Sequence, residues 1–111
     1  MIKDIYADEQ EKIILIPDRL FYERNDTKEW LVWERFGLNI SRFPLELIVG
    51  IYQHPTKGLF IGWRDYSARL ICDNQEVSLG RYKRIIEFLK EKTGLEVDTD
   101  LNSFRNKTKP I

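Results

Sequence analysis

At 111 residues, with 42% hydrophobic and 13% aromatic side chains, the chain carries material for one folded core and little room for a second. Eighteen Lys plus Arg balance eighteen Asp plus Glu, which argues against the global positive field that drives non-specific binding to nucleic acid. The single cysteine, Cys72, has no partner for an internal disulfide, and with one histidine, His54, there are too few soft ligands for a zinc site; no cofactor and no metal is expected.

No apolar run approaches the roughly 20 residues that cross a bilayer, so membrane insertion is not expected. The stretch "MIKDIYADEQEK" is acidic and lacks the apolar centre of a signal peptide, which makes the cytoplasm the expected compartment. From there the chain reads as short apolar runs separated by turn residues. "KIILI" (12–16) is a strand ended by Pro17 and Asp18, and "RLFYER" (19–24) a second. After the turn "NDTK", "EWLVWERF" (29–36) places Trp30 and Trp33 on opposite strand faces. Gly37 ends it, and "LNISRF" (38–43) alternates with neither face clearly the buried one.

"PLELIVGIYQ" (44–53) fits a strand of period two and also a helical stripe behind Pro44; the β-branched Ile48, Val49 and Ile51 and the interior Gly50 favour the strand. "LFIGWRD" and "SARLIC" then form a hairpin around Asp65 to Ser67. From Leu79 to Lys92, apolar residues at Leu79, Tyr82, Ile85, Ile86 and Leu89 follow one buried helical face. Ser78 stands at the N-cap and Gly94 at a left-handed stop. The expectation is an α+β domain over 1–97: a bent antiparallel sheet or partly open barrel of about six to seven strands, closed by one C-terminal amphipathic helix. Residues 98–111 read as a polar, partly flexible tail, pinned by Leu101 and Phe104.

The succession from "DRLFYER" through "FPLELIVGIY", "LFIGWRD" and "ARLICDN" into "SLGRYKRIIEFLKEKTGL" resembles bacterial pleckstrin-homology-like (PH-like) domains over roughly 12–95. In that family the helix plugs one open end of a bent sheet, and members serve chiefly as binding platforms for proteins, lipids or peptides. The resemblance implies a non-enzymatic role. Phosphoinositide binders of the family carry a basic pocket in the loop joining their first two strands. Here that loop is Pro17 and Asp18 followed by Arg19, so inositol lipid is not an expected ligand.

The quartet Trp63, Arg64, Asp65 and Tyr66 is the densest candidate site. On a strand Trp63 and Asp65 face one way and Arg64 and Tyr66 the other, so Trp63 reads as core and Asp65 as a turn residue bonding backbone. That leaves Arg64 and Tyr66 as a binding rim, of the residue types that concentrate interface energy. Of Trp30 and Trp33, one is core; the other, left exposed beside Tyr22 or Phe43, would make a contact patch. The reading that follows is a non-enzymatic protein-interaction module, a small adaptor, regulator or antagonist acting by occlusion on a protein partner or as a homodimer, through Trp30, Trp33, Trp63, Arg64 and Tyr66.

Two alternatives belong to other classes. A small metal-dependent hydrolase or nuclease would use Asp18, Glu34, Asp65 or His54; the nearest motif, an Asp followed by Glu-x-Lys, fails because position 36 is Phe. A dyad of Cys72 and His54 sits in no nucleophile motif. A nucleic-acid binder would use the basic patch Arg81, Lys83 and Arg84 on the helix together with Arg105, Lys107 and Lys109; the neutral net charge disfavours it.

Overall fold

A computed structural model describes residues 10–17, 19–35, 39–75 and 77–111. Asp18 of the first turn, and Phe36, Gly37 and Leu38 around the expected end of the third strand, lie outside them. The chain divides after Leu45 into two compact units, Met1–Leu45 and Glu46–Ile111, where composition suggests one domain through residue 97.

The first unit is an antiparallel meander, β1 (Gln10–Ile16), β2 (Leu20–Asn25), β3 (Lys28–Arg35) and β4 (Asn39–Pro44), in that spatial order. Arg19 N–H closes the first turn on the Ile16 carbonyl at 3.1 Å, and Asp26 turns the second with a φ of 57°. A positive φ is what a two-residue hairpin connection demands, and Asp is among the few residues that tolerate it. Register sets the faces: Tyr22 stands opposite Ile13 and Leu31, and Leu31 opposite Phe43, so these four share one side of the sheet. Tyr22, Leu31 and Leu20 on that side are fully buried. On the other side Glu23 lies between Lys12 and Trp30, and its carboxylate is buried. Arg42 at 3.0 Å and Lys12 at 3.9 Å supply its counter-charges, which makes the burial tolerable. Lys12 also lies 4.3 Å from the centre of the Phe21 ring, so its stem and charge both cover that face.

A 3-10 turn, Leu45–Leu47, spans the division, and the second unit continues with β5 (Gly50–Gln53), β6 (Gly58–Gly62) and β7 (Ala68–Asp73). The ambiguous segment 44–53 is therefore split: Pro44 ends β4, Leu45–Leu47 is helical, and only 50–53 is β5. Helix α1 (Leu79–Thr93) has the expected ends: Ser78 Oγ accepts from Arg81 N–H at 3.2 Å, and Gly94, at φ 70°, donates its N–H to Lys90 O at 2.8 Å. Tyr82, Ile85 and Leu89 are buried as the stripe predicts; Leu79, at the first helical position, is 70% exposed and does not belong to it.

After α1 the structure departs from expectation. Val97–Asp98 form an eighth strand, β8, pairing parallel with β5 at Ile51 and Tyr52, which gives the sheet order β7-β6-β5-β8. Leu101–Thr108 form a second helix, α2, capped by Asp100, whose carboxylate accepts from Ser103 N–H and Oγ at 3.1 and 3.0 Å. The stretch 98–111, read as a tail pinned by Leu101 and Phe104, thus carries the end of β8 and a helix: Phe104 is buried, although Leu101, its supposed fellow anchor, is half exposed. The α+β class is as expected, but the described strands form two open sheets of four with two helices, and no closed barrel. A two-residue parallel strand and an eight-residue helix are too short to leave a period in the sequence, which is why neither was anticipated.

Candidate functional site

The end of β6 and the start of β7 build the most distinctive local geometry in the second unit. Gly62 pairs with Ala68, and Trp63 N–H donates to Ser67 O at 2.9 Å, closing the hairpin over Arg64, Asp65 and Tyr66. Asp65 organises the turn by accepting Ser67 N–H at 2.8 Å. The Ser67 hydroxyl, and then its N–H, hold the Asp65 carboxyl below its ordinary value, since both stabilise the charged form. Tyr66 completes the reversal with a φ of 63°. This is the position where a turn followed by a bulge normally takes Gly, and a bulky residue there is strained.

What fixes Tyr66 in that conformation comes from α2: the Tyr66 N–H donates to the carbonyl of Thr108 at 2.9 Å. Helix α2 in turn is seated by a notch in the sheet. Gly50 of β5 and Gly62 of β6 pair directly across the strands. A Cβ on Gly62 would lie 2.6 Å from Phe104 Cζ and 2.6 Å from Thr108 Cγ2, and one on Gly50 would lie 3.0 Å from the Phe104 ring. The two missing side chains let the helix approach the backbone, which is the close-approach use of glycine in a strand. Phe104 stacks on Tyr52 with centroids 5.3 Å apart, and Lys107 pairs with Asp98 of β8 at 2.9 Å.

His54 continues this aromatic face, its ring 6.1 Å from Tyr52 and 6.3 Å from Phe60. Its Nδ1 accepts the backbone N–H of Thr56 at 3.1 Å and of Lys57 at 3.0 Å, so that nitrogen is engaged by its own loop. Cys72 is buried on β7, and the phenol of Tyr82 near it is pushed up to about 12, chiefly by burial and then by that thiol. Among the described residues no group of three or more His, Cys, Asp and Glu is arranged to hold a metal ion; Asp18 is not among them. No helix of the described residues is long and apolar enough to cross a membrane.

No family model, curated protein or solved structure matches the chain. The site is therefore argued from its own residues.

The five aromatic and Arg candidates separate. Arg64 and Tyr66 are exposed together at the hairpin tip, Tyr66 to 53%, while Trp63 beside them is half-buried instead of core. Trp30 and Trp33 lie on opposite faces of β3 as alternation requires, Trp30 opposite Glu23 and Pro44, Trp33 opposite Leu20 and Ser41. Both are half-buried, and the Tyr22 and Phe43 that were to extend a patch on Trp33's side are buried. The exposed apolar residues of that sheet among the described residues are instead Ile14 and Ile40, 60% and 57% exposed on Trp30's side, although Phe21 and Val32 on that side are buried.

The basic patch also thins out. Lys83 and Arg84 are exposed in the first turns of α1, with Arg81 partly covered. At the far end of α1 Lys90 lies near Glu87 and Glu96 and Lys92 over the Phe88 ring; on α2 Lys107 pairs with Asp98, while Arg105 and Lys109 are exposed. What sequence reasoning missed is Gly50 and Gly62 as the seat of Phe104, which it named only as a pin. The signal was present in two strand-interior glycines twelve positions apart, which read as a close backbone approach only once β5 and β6 are known to pair.

Proposed function

We propose that the chain is a non-enzymatic protein-interaction module of cytoplasmic type, and that the β6–β7 tip, with Arg64 and Tyr66, is its contact surface. The observation that carries this reading is Tyr66: a large aromatic held at φ 63°, exposed, on a turn secured by Asp65, Ser67 and the Thr108 carbonyl. Strained backbone persists only where its surroundings over-determine it, and such positions concentrate at binding and switch sites. A rigid Tyr beside an Arg loses little conformational entropy on docking and offers both apolar area and a planar cation. The run of seven antiparallel-paired strands followed by an amphipathic helix supports the PH-like resemblance and its binding-platform role. The hydrolase alternative draws no comparable support: Asp65 Oδ1 and His54 Nδ1 accept backbone N–H groups of their own turns, and among the described residues no group of three or more His, Cys, Asp and Glu converges.

The test is parallel affinity capture from the native cell with the intact chain, with Arg64→Glu combined with Tyr66→Ser, and with Leu79→Ser as an exposed control away from the tip. A protein retained by the wild type and the control but lost with the tip variant is the expected result. Identical captures from all three would remove the tip as the contact surface. Sedimentation of the wild type and the tip variant separates a homodimer from a foreign partner, since only in the first case does the variant change the mass of the isolated protein.

A further inference from the structure

We propose that α2 is a latch on the β6–β7 tip: the turn at Tyr66 holds its left-handed conformation only while Phe104 is seated in the Gly50–Gly62 notch. Three features of the fold carry it. First, α2 has eight residues, and helices shorter than about 12 to 15 residues are marginal in water, so its helicity depends on docking. Second, the docking contacts form one connected set: Phe104 against the glycine pair and Tyr52, Lys107 on Asp98, and the Thr108 carbonyl on Tyr66 N–H. Releasing the helix removes the acceptor at its C-terminal end in the same step. Third, the strain at Tyr66 is local and the residue is half exposed, so once the Thr108 bond is gone only the turn's own bonds, Ser67 N–H to Asp65 and Trp63 N–H to Ser67 O, oppose its relaxation.

The sequence supplies a hinge for such release. Gly94, with φ 70°, has no atom within 4 Å of a notional Cβ and is exposed, and the segment 95–100 joins it to α2 through only two ladder residues of β8. Seated and released forms are thus two states of one C-terminal element, and linkage makes the consequence reciprocal. A ligand that prefers the ordered tip seats the helix, and anything that captures the apolar face of α2 relaxes the tip. This last step rests on the tip being the contact surface; the latch itself does not.

The test needs no ligand. Amide hydrogen exchange of the full wild-type chain in low denaturant reports local openings below global unfolding. The Tyr66 amide and the α2 amide of Phe104, which donates to Asp100 O, should exchange through one shared opening with the same denaturant dependence, ahead of the β5–β6 ladder. Gly50→Ala, which adds a methyl at 3.0 Å from the Phe104 ring edge, should speed both together; Gly62→Ala, at 2.6 Å, should speed them more, by about tenfold to a hundredfold over wild type. A Tyr66 amide that stays protected while α2 exchanges, or that exchanges independently of it in the wild type, overturns the latch. Should Gly62→Ala unfold the unit, the wild type and Gly50→Ala still decide. Failure here leaves the capture experiment untouched, and failure of the capture experiment leaves the exchange result standing.

Discussion

Asp26 in the β2–β3 hairpin and Tyr66 in the β6–β7 hairpin share a left-handed backbone, with φ of 57° and 63°, yet the chain holds them there by different means. Asp26 is a residue suited to that region, and its hairpin is a two-residue connection between Asn25 and Lys28 that is compatible with the twist of the strands. Tyr66 is unsuited to it, and its turn relies on an Asp65–Ser67 bond on one side and the last carbonyl of a remote helix on the other. A local solution needs nothing from the rest of the fold. A conformation imposed from outside can be withdrawn from outside, and that difference separates a structural turn from a candidate functional one.

The most damaging way to probe the contrast is Phe104→Ala. It deletes a buried ring from the notch and should cost about 3–5 kcal/mol in the stability of the second unit, measured through the exchange-resistant amides of β5 and β6 in urea. The amide signals of the Tyr66 turn should shift with it, while those of Thr27 and Lys28 beside Asp26 stay in place. Movement at both hairpins would mean that the Asp26 turn is not self-sufficient.

The two units also differ in how they bury a phenol, and alkaline titration sharpens the contrast. Tyr22 is pushed up to about 12 by burial first and then by the negative charges of Glu29 and Glu11; Tyr82 reaches about 12 through burial and then Cys72. Both shifts are upward, so the stabilisation is complete below the unfolded value of about 10 and is lost as pH rises through about 12, roughly 2–3 kcal/mol for each tyrosine. The hydroxyl of Tyr82 is buried without a hydrogen-bond partner, so Tyr82→Phe should stabilise by about 1 kcal/mol at neutral pH and remove that unit's alkaline loss. Unfolding midpoints at pH 7 and pH 11 check both. A loss of stability in Tyr82→Phe would show that the hydroxyl is satisfied after all.

Replacing each left-handed residue by glycine gives a smaller effect. An L-residue in that region costs roughly 1–2 kcal/mol, while glycine returns about 0.5–1 kcal/mol of disorder to the unfolded chain. Tyr66→Gly should therefore raise the stability of its unit by up to about 1 kcal/mol, whereas Asp26→Gly should be neutral or slightly destabilising, both read as shifts in urea midpoint. A destabilising Tyr66→Gly would indicate that the ring contributes packing that its exposure conceals.

Sequence periodicity was most informative where a residue's neighbours in the chain are also its neighbours in space. The α1 stripe, its Ser78 and Gly94 caps and the strand identities of β1 to β4 were legible because each depends on residues within a few positions. Alternation set Arg64 and Tyr66 apart from Trp63 and Asp65, but β6 ends at Gly62 and Arg64, Asp65 and Tyr66 all lie exposed in the turn, so a period of two does not order them. What was not legible is pairing. The partition of strands into two sheets, the parallel addition of Val97 and Asp98 to β5, and the Gly50–Gly62 notch all follow from register between segments far apart in sequence. Phe104 in a polar stretch looked like a pin for a loose tail; only the absence of two side chains on another pair of strands makes it the centre of a docked helix.

Acidification offers the gentlest probe of the Asp65 turn. The Asp65 carboxyl is held below its ordinary value by the Ser67 hydroxyl and N–H, so the sign is that of a depressed acid. Its contribution is fully present above the unfolded carboxylate value of about 3.9 and disappears as pH falls through the lower folded value. Asp65 is fully exposed, so solvent screens the effect and global stability should barely register it. The local consequence is sharper: protonation weakens one of the two supports of Tyr66, leaving the Thr108 carbonyl to hold the reversal. Amide signals of Tyr66 and Ser67 should titrate together in that range in the wild type and lose the transition in Asp65→Asn, whose amide oxygen still accepts from Ser67 N–H but does not ionise. If Tyr66 fails to follow Asp65, the turn's own chemistry plays no part in presenting it, and the helix alone sets the tip.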